Sequence, residues 1–122
     1  MLVYLCGPIN GCTDAECKDW RSYAKSHLTN TLDPMRRDYR GREAESVNEI
    51  VELDKRDVAA CDVILANCPK PSVGTSMEIF LAWQMSKIVV AVAQEPVSPW
   101  LRYHSTKIVG TIKEAIDWLE TV

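Results

Sequence analysis

A single carboxylate, Glu78, interrupts the stretch Pro71-Ser-Val-Gly-Thr-Ser-Met-Glu-Ile-Phe-Leu-Ala82, whose other side chains are apolar, small or hydroxylated. Just before it, Asp62-Val-Ile-Leu-Ala-Asn67 has the length and β-branched content of a buried strand. A Pro/Ser/Gly turn then opens a helix, which places Glu78 in its first turns at the carboxyl end of that strand. In open α/β sheets, ligands occupy the crevice at that end. A carboxylate there can attack an electron-poor carbon as a nucleophile. It can equally complement the positive end of the helix dipole, worth about 0.3–1 kcal/mol. Spacing alone leaves both readings open.

Other residues offer contacts to a ligand. Ser72, Gly74 and Ser76 enter the same helix with backbone N–H and hydroxyl donors that suit a phosphate or sugar hydroxyl. The Gly-Lys-Ser/Thr ending of a Walker loop is absent. Gly7-Pro-Ile-Asn-Gly11 forms the first strand-to-helix turn without the Gly-x-Gly-x-x-Gly spacing of a dinucleotide site, yet Gly7 can bring backbone close to a ligand. Arg36, Arg37, Arg40 and Arg42 can clamp an anion or simply charge a loop. Asp54 falls on the apolar stripe of its helix, so a buried, partnered role is expected for it rather than for Glu52 or Asp57. The aromatic run Trp100-Leu-Arg-Tyr-His104 suits a subunit contact better than chemistry.

Strands and helices alternate along the chain. Strands are expected at 2–6, 31–33, 62–67, 87–93 and 107–109. Helices are expected at 14–28, capped by Thr13 or Asp14, at 46–61 with Ser46 and Glu49 as a capping box, at 75–86 and at 112–119. Residues 94–105 read as a long loop. This pattern predicts an α/β three-layer sandwich around a five-stranded, mostly parallel sheet, flavodoxin-like or Rossmann-like, with residues 1–122 as one domain.

Composition narrows the partners. The 122 residues are 47% hydrophobic and 25% charged, with a formal net charge of −3. No basic surplus invites a nucleic-acid polymer. No apolar run approaches the ~20 residues needed to cross a bilayer. The start reads as a strand rather than a signal peptide. Five cysteines without a Cys-x-x-Cys pair, and two distant histidines, predict reduced thiols in the cytoplasm and no zinc site.

Taken together, Tyr4-Leu-Cys-Gly-Pro8, Asp33-Pro-Met-Arg-Arg37, Asp54 with Asp62-Val-Ile-Leu-Ala-Asn67, and Pro71-Ser-Val-Gly-Thr-Ser-Met-Glu-Ile79 resemble the nucleoside 2-deoxyribosyltransferase family and its relatives, the nucleotide N-glycosidases. The resemblance implies 2-deoxyribosyl transfer between bases by a homo-oligomer, without metal or cofactor. Its alternative is hydrolysis of a nucleoside 5′-monophosphate. It implies Glu78 as nucleophile, Tyr4 as the residue that orients it, and Asp54 as the acid near the base. Gly7, Ser72, Gly74 and Ser76 would line the sugar or phosphate end, and Arg36, Arg37 and Arg40 could supply phosphate contacts by another route. It also implies that a neighbouring subunit completes the pocket, a role open to Ser98 or His104. Ser72 matches the serine of the monophosphate hydrolases, whereas Pro8 and Asn10 replace their first-turn Ser and Arg. A catalytically silent nucleotide-binding module is the rival reading.

Overall fold

The computed structural model describes residues 1–122. Five strands form one sheet: β1 (Val3–Cys6), β2 (Thr31–Leu32), β3 (Val63–Asn67), β4 (Ile88–Val92) and β5 (Lys107–Val109). Their order is β2-β1-β3-β4-β5, and every pairing is parallel. The sheet is therefore wholly parallel, in the flavodoxin-like order. Helices α1 (Asp14–His27), α2 (Val47–Ala60), α3 (Val73–Gln84), α4 (Pro99–His104) and α5 (Ile112–Leu119) connect and cover it.

Side-chain alternation divides the core in two. Val3 and Leu5 of β1 join Val63, Leu65, Val90 and Val92 beneath α1 and α5. Tyr4 and Cys6 point the other way, toward Ile64, Ala66 and Val89, where Val58 of α2 and Ile79 and Ala82 of α3 pack. The strands are apolar on both faces because both are covered. Tyr4 and Cys6 thus lie side by side under α3. Counting outward from β1, β2 lies to one side and β3 to the other, so the chain reverses direction there. Such a switch point opens a crevice between the carboxyl ends of the two strands.

Local chemistry sets the helix ends. Thr13 caps α1 in a full capping box with Glu16. The Ser72 hydroxyl accepts from Thr75 N at 3.4 Å and starts α3 two residues earlier than expected. Residues 94–105 contain α4, which the expected loop omitted; Ser98 caps it and Pro99 opens it.

Two expectations about α2 need correction. Ser46 makes no side-chain cap, because it closes a preceding 3₁₀ turn (Ser46 N to Glu43 O, 3.0 Å) and is not extended there. The helix buries only its last turns, so Val47 and Val51 are exposed. Asp57, rather than Asp54, is its buried acid, 7% exposed.

Candidate active site

Glu78 projects from the second turn of α3 across the β1–β3 crevice. The Tyr4 hydroxyl donates a hydrogen bond to its Oε2. The Cys6 thiol lies 3.6 Å from Oε1. Both donors come from one face of β1, two residues apart, so a single strand holds both oxygens of one carboxylate. No basic side chain pairs with Glu78.

The electrostatics follow from this enclosure. Burial pushes the Glu78 carboxyl up to about 7, against the Tyr4 and Cys6 hydrogen bonds, which favour its anion. The Asp54 charge adds to the rise, and the field of Arg21 opposes it. Burial raises the Tyr4 phenol and the Cys6 thiol far above their usual ranges, helped by the nearby carboxylate, so both remain donors.

Asp54 stands on the other flank, half-buried on α2. Burial raises its carboxyl, and Arg37, 3.4 Å away, works against that rise. Arg37 is held more tightly by Asp57 at 2.8 Å, and Arg36 also reaches Asp57 at 2.9 Å. Arg40 bonds Asp38 at 2.8 Å and Asp14 at 2.6 Å. The three guanidiniums are therefore committed to carboxylates. Arg37 sits behind Asp54 as its partner rather than as a free anion clamp.

The other predicted residues are placed as follows. Ser72 caps α3, and Ser76 donates to the Ser72 carbonyl at 2.8 Å. Gly74 faces open space on the same exposed turn. Gly7 is buried, and a Cβ there would meet Trp20 Cζ2 at 2.9 Å and the Asn67 carbonyl at 3.3 Å. Packing therefore accounts for that glycine. His104 lines the same cleft as Ser72 and Ser76 and is buried among Phe80, Trp83, Trp100 and Tyr103. Its Nδ1 lies 2.6 Å from the Trp100 carbonyl, so that nitrogen carries the proton. Ser98 is occupied in capping α4.

Two residues escaped the sequence reading, and Cys6 stood in it only as a thiol at the end of the first strand that could be reactive. Arg21 is 1% exposed beneath the first turn, where it donates to the carbonyls of Leu5, Cys17 and Gly7 at 3.1, 2.7 and 3.0 Å. Its place on a helix with many charges concealed it. Thr75 buries a hydroxyl without a partner at the start of α3.

A cleft of about 690 Å³ opens on the α4 side of α3, lined by Ser72, Thr75, Ser76, Phe80, Ser98 and Trp100 among others. Glu78, Tyr4 and Asp54 do not line it. The Tyr4–Glu78 pair therefore lies outside that cleft, although α3 contributes to both. No cluster of three His, Cys, Asp or Glu side chains is arranged to hold a metal ion. No helix is long and apolar enough to cross a membrane.

Two solved structures are similar over nearly the whole chain. A conserved protein from Enterococcus faecalis V583 matches 98% of this chain and 97% of its own, with a TM-score of 0.75 and 13% identity. The Clostridium botulinum CMP N-glycosidase BcmB matches 99% and 98%, with a TM-score of 0.67 and 19% identity. At these identities the likeness establishes the fold. A comparison with curated proteins finds no match. The family model described as nucleoside 2-deoxyribosyltransferase matches residues 3–109. That span contains both strands of the crevice and the helix that carries Glu78, and the chain belongs to the nucleoside 2-deoxyribosyltransferase family.

Proposed function

We propose that this protein cleaves the N-glycosidic bond of a deoxyribonucleoside and transfers the 2-deoxyribosyl group through a glycosyl ester on Glu78. The observation that carries the reading is the pair of donors on Glu78, with no cation beside it. A nucleophilic carboxylate must be anionic, aimed and not quenched by an ion pair. Tyr4 supplies the aim and favours the anion.

Breaking the bond at C1′ builds oxocarbenium character on the sugar. A Glu78 oxygen donates a lone pair to C1′ as the C1′–N electron pair leaves with the base. Asp54, raised by burial, supplies a proton or hydrogen bond to that base. An incoming base then attacks C1′ and frees Glu78. If water attacks instead, the outcome is hydrolysis.

A second reading, a nucleoside 5′-monophosphate N-hydrolase, is favoured by Ser72 at the start of α3. With Arg36, Arg37 and Arg40 engaged, a phosphate would fall to the Gly74 N–H and the Ser72 hydroxyl, joined by Ser76 once its hydroxyl turns from the Ser72 carbonyl. The likeness to BcmB, named a CMP N-glycosidase, also supports it.

The working unit is a homo-oligomer. Met77 on α3 and Trp100 and Tyr103 on α4 are 68, 75 and 71% exposed, more apolar surface than a lone chain tends to leave in water. Five free thiols suit the cytoplasm. Neither metal nor cofactor is required by this chemistry, and residues 1–122 act as one domain.

Incubating the protein with each deoxynucleoside and each 5′-monophosphate, with and without an acceptor base, tests the reading. A new nucleoside supports transfer, and free base without acceptor supports hydrolysis. Binding without base release would leave a silent module and overturn the proposal.

A further inference from the structure

We infer that Cys6 is a second positioning residue for Glu78: its thiol steadies Oε1 while Tyr4 holds Oε2, then turns to the Thr75 carbonyl as Oε1 bonds to carbon. This deepens the nucleophile reading of Glu78 and rests on it.

The geometry supplies the two positions. Cys6 Sγ is 3.6 Å from Glu78 Oε1 and 3.9 Å from the Thr75 carbonyl oxygen. An S–H carries one proton, so it serves one acceptor at a time. Cys6 is fully buried, which leaves the thiol without a water partner. The Thr75 carbonyl is held fixed at the start of α3, three residues before Glu78.

The two donors differ in strength, and that difference assigns roles to the two oxygens. Tyr4 makes an O–H···O⁻ bond from a strong donor, which lowers the electron density available on Oε2. A thiol is a weak donor, so Oε1 keeps more of its nucleophilic character while losing its freedom to rotate. Oε1 is therefore the oxygen that attacks. In that step an Oε1 lone pair forms the C1′–O bond, and the C1′–N pair departs with the base, which takes its proton from the base side. The thiol proton stays on sulfur and swings about the Cβ–Sγ bond to the Thr75 carbonyl. When the acceptor attacks C1′, the C1′–O pair returns to Oε1 and the thiol swings back. A serine could make the same bonds more strongly, whereas an alanine could make neither.

The first test needs no substrate. The infrared S–H stretching band of the wild-type protein is recorded as pH is raised through about 7, where Glu78 ionises. A component that moves to lower frequency, and is lost in both Cys6→Ala and Glu78→Gln, is expected. An S–H spectrum independent of pH in the folded wild-type protein would overturn the contact. The second test is kinetic. Cys6→Ala should move the acid limb of kcat/KM upward and lower kcat by about two- to fivefold with KM little changed. Cys6→Ser, a stronger donor, should return the acid limb to the wild-type position or below it while leaving kcat short of the wild-type value. An acid limb that does not move in Cys6→Ala, or that stays displaced upward in Cys6→Ser, would refute the role. A pH-dependent S–H band in a protein that turns over no nucleoside would establish the contact and overturn its catalytic use, together with the proposed function.

Discussion

The Tyr4 hydroxyl donates to Oε2 of Glu78 across 74 residues of sequence, from the first strand to the helix after the third. Neither residue is unusual alone. Their meeting requires β1 and β3 to be neighbours and α3 to cover the face toward which Tyr4 points. The parallel register that sets Tyr4 opposite Ile64 supplies the first condition.

Replacing Tyr4 with phenylalanine keeps the packing and deletes one donor to an anion. Hydrogen bonds to charged groups contribute about 1.5–3 kcal/mol. Turnover should therefore fall by roughly ten- to a hundredfold, and the acid limb of kcat/KM should move to higher pH. Unchanged kinetics in Tyr4→Phe would remove it from the mechanism.

The wild-type pH profile should have an acid limb near 7, because Glu78 works as the anion and its carboxyl lies at about 7. Stability should run the opposite way. An acid whose folded pKa is raised binds its proton more tightly when folded, so stability falls as pH climbs from the ordinary carboxylate range to about 7. Glu78→Gln should flatten that slope and raise the melting temperature at pH 8. Parallel slopes for the two proteins would contradict the enclosure of Glu78.

Asp57→Asn should cost about 1–3 kcal/mol in denaturant unfolding, since two guanidiniums lose their shared anion. Burial tends to raise the Asp57 carboxyl, but the Arg36 and Arg37 hydrogen bonds outweigh it and hold the carboxyl below its usual value. That contribution is present above the ordinary carboxylate range and fades as pH falls below it. With Asp57 neutral, Arg37 should close on Asp54 and lower its carboxyl, which would weaken proton donation to the base.

Gly7→Ala should lower the melting temperature, because the new Cβ meets the Trp20 ring and the Asn67 carbonyl, neither free to retreat. Overpacking of this kind costs about 1–3 kcal/mol. A variant as stable as the parent would mean that the turn yields more easily than its packing implies.

Much of this architecture was legible in the residues. The apolar, mostly β-branched runs Val63–Leu65 and Ile88–Val90 have the length of buried strands, and the Gly/Ser turn before Glu78 marked the end of the third strand. The motif resemblance pointed to Tyr4 on the strand facing it. Cys6 was within reach of the same reasoning, since it lies two residues from Tyr4 and must share its face. Arg21 was not, because a buried arginine held by three carbonyls looks in sequence like any other helix charge. The expectation that Asp54 rather than Asp57 is the buried acid of α2 failed because hydrophobic phase cannot show where Arg36 and Arg37 reach. Helix α4 was too short, at six residues, to establish a period. The Ser46 capping box had the right letters, but the 3₁₀ turn before it fixed the wrong backbone.

The central claim is that Glu78 becomes covalently attached to the sugar. Intact-mass and peptide mapping after rapid acid quench of the protein mixed with a deoxynucleoside, or its 5′-monophosphate, tests this most directly. One added deoxyribosyl unit on the peptide containing Glu78, or one deoxyribosyl 5′-phosphate when the monophosphate is used, absent in Glu78→Ala, is the predicted result. Base release at an undiminished rate by Glu78→Ala would contradict it.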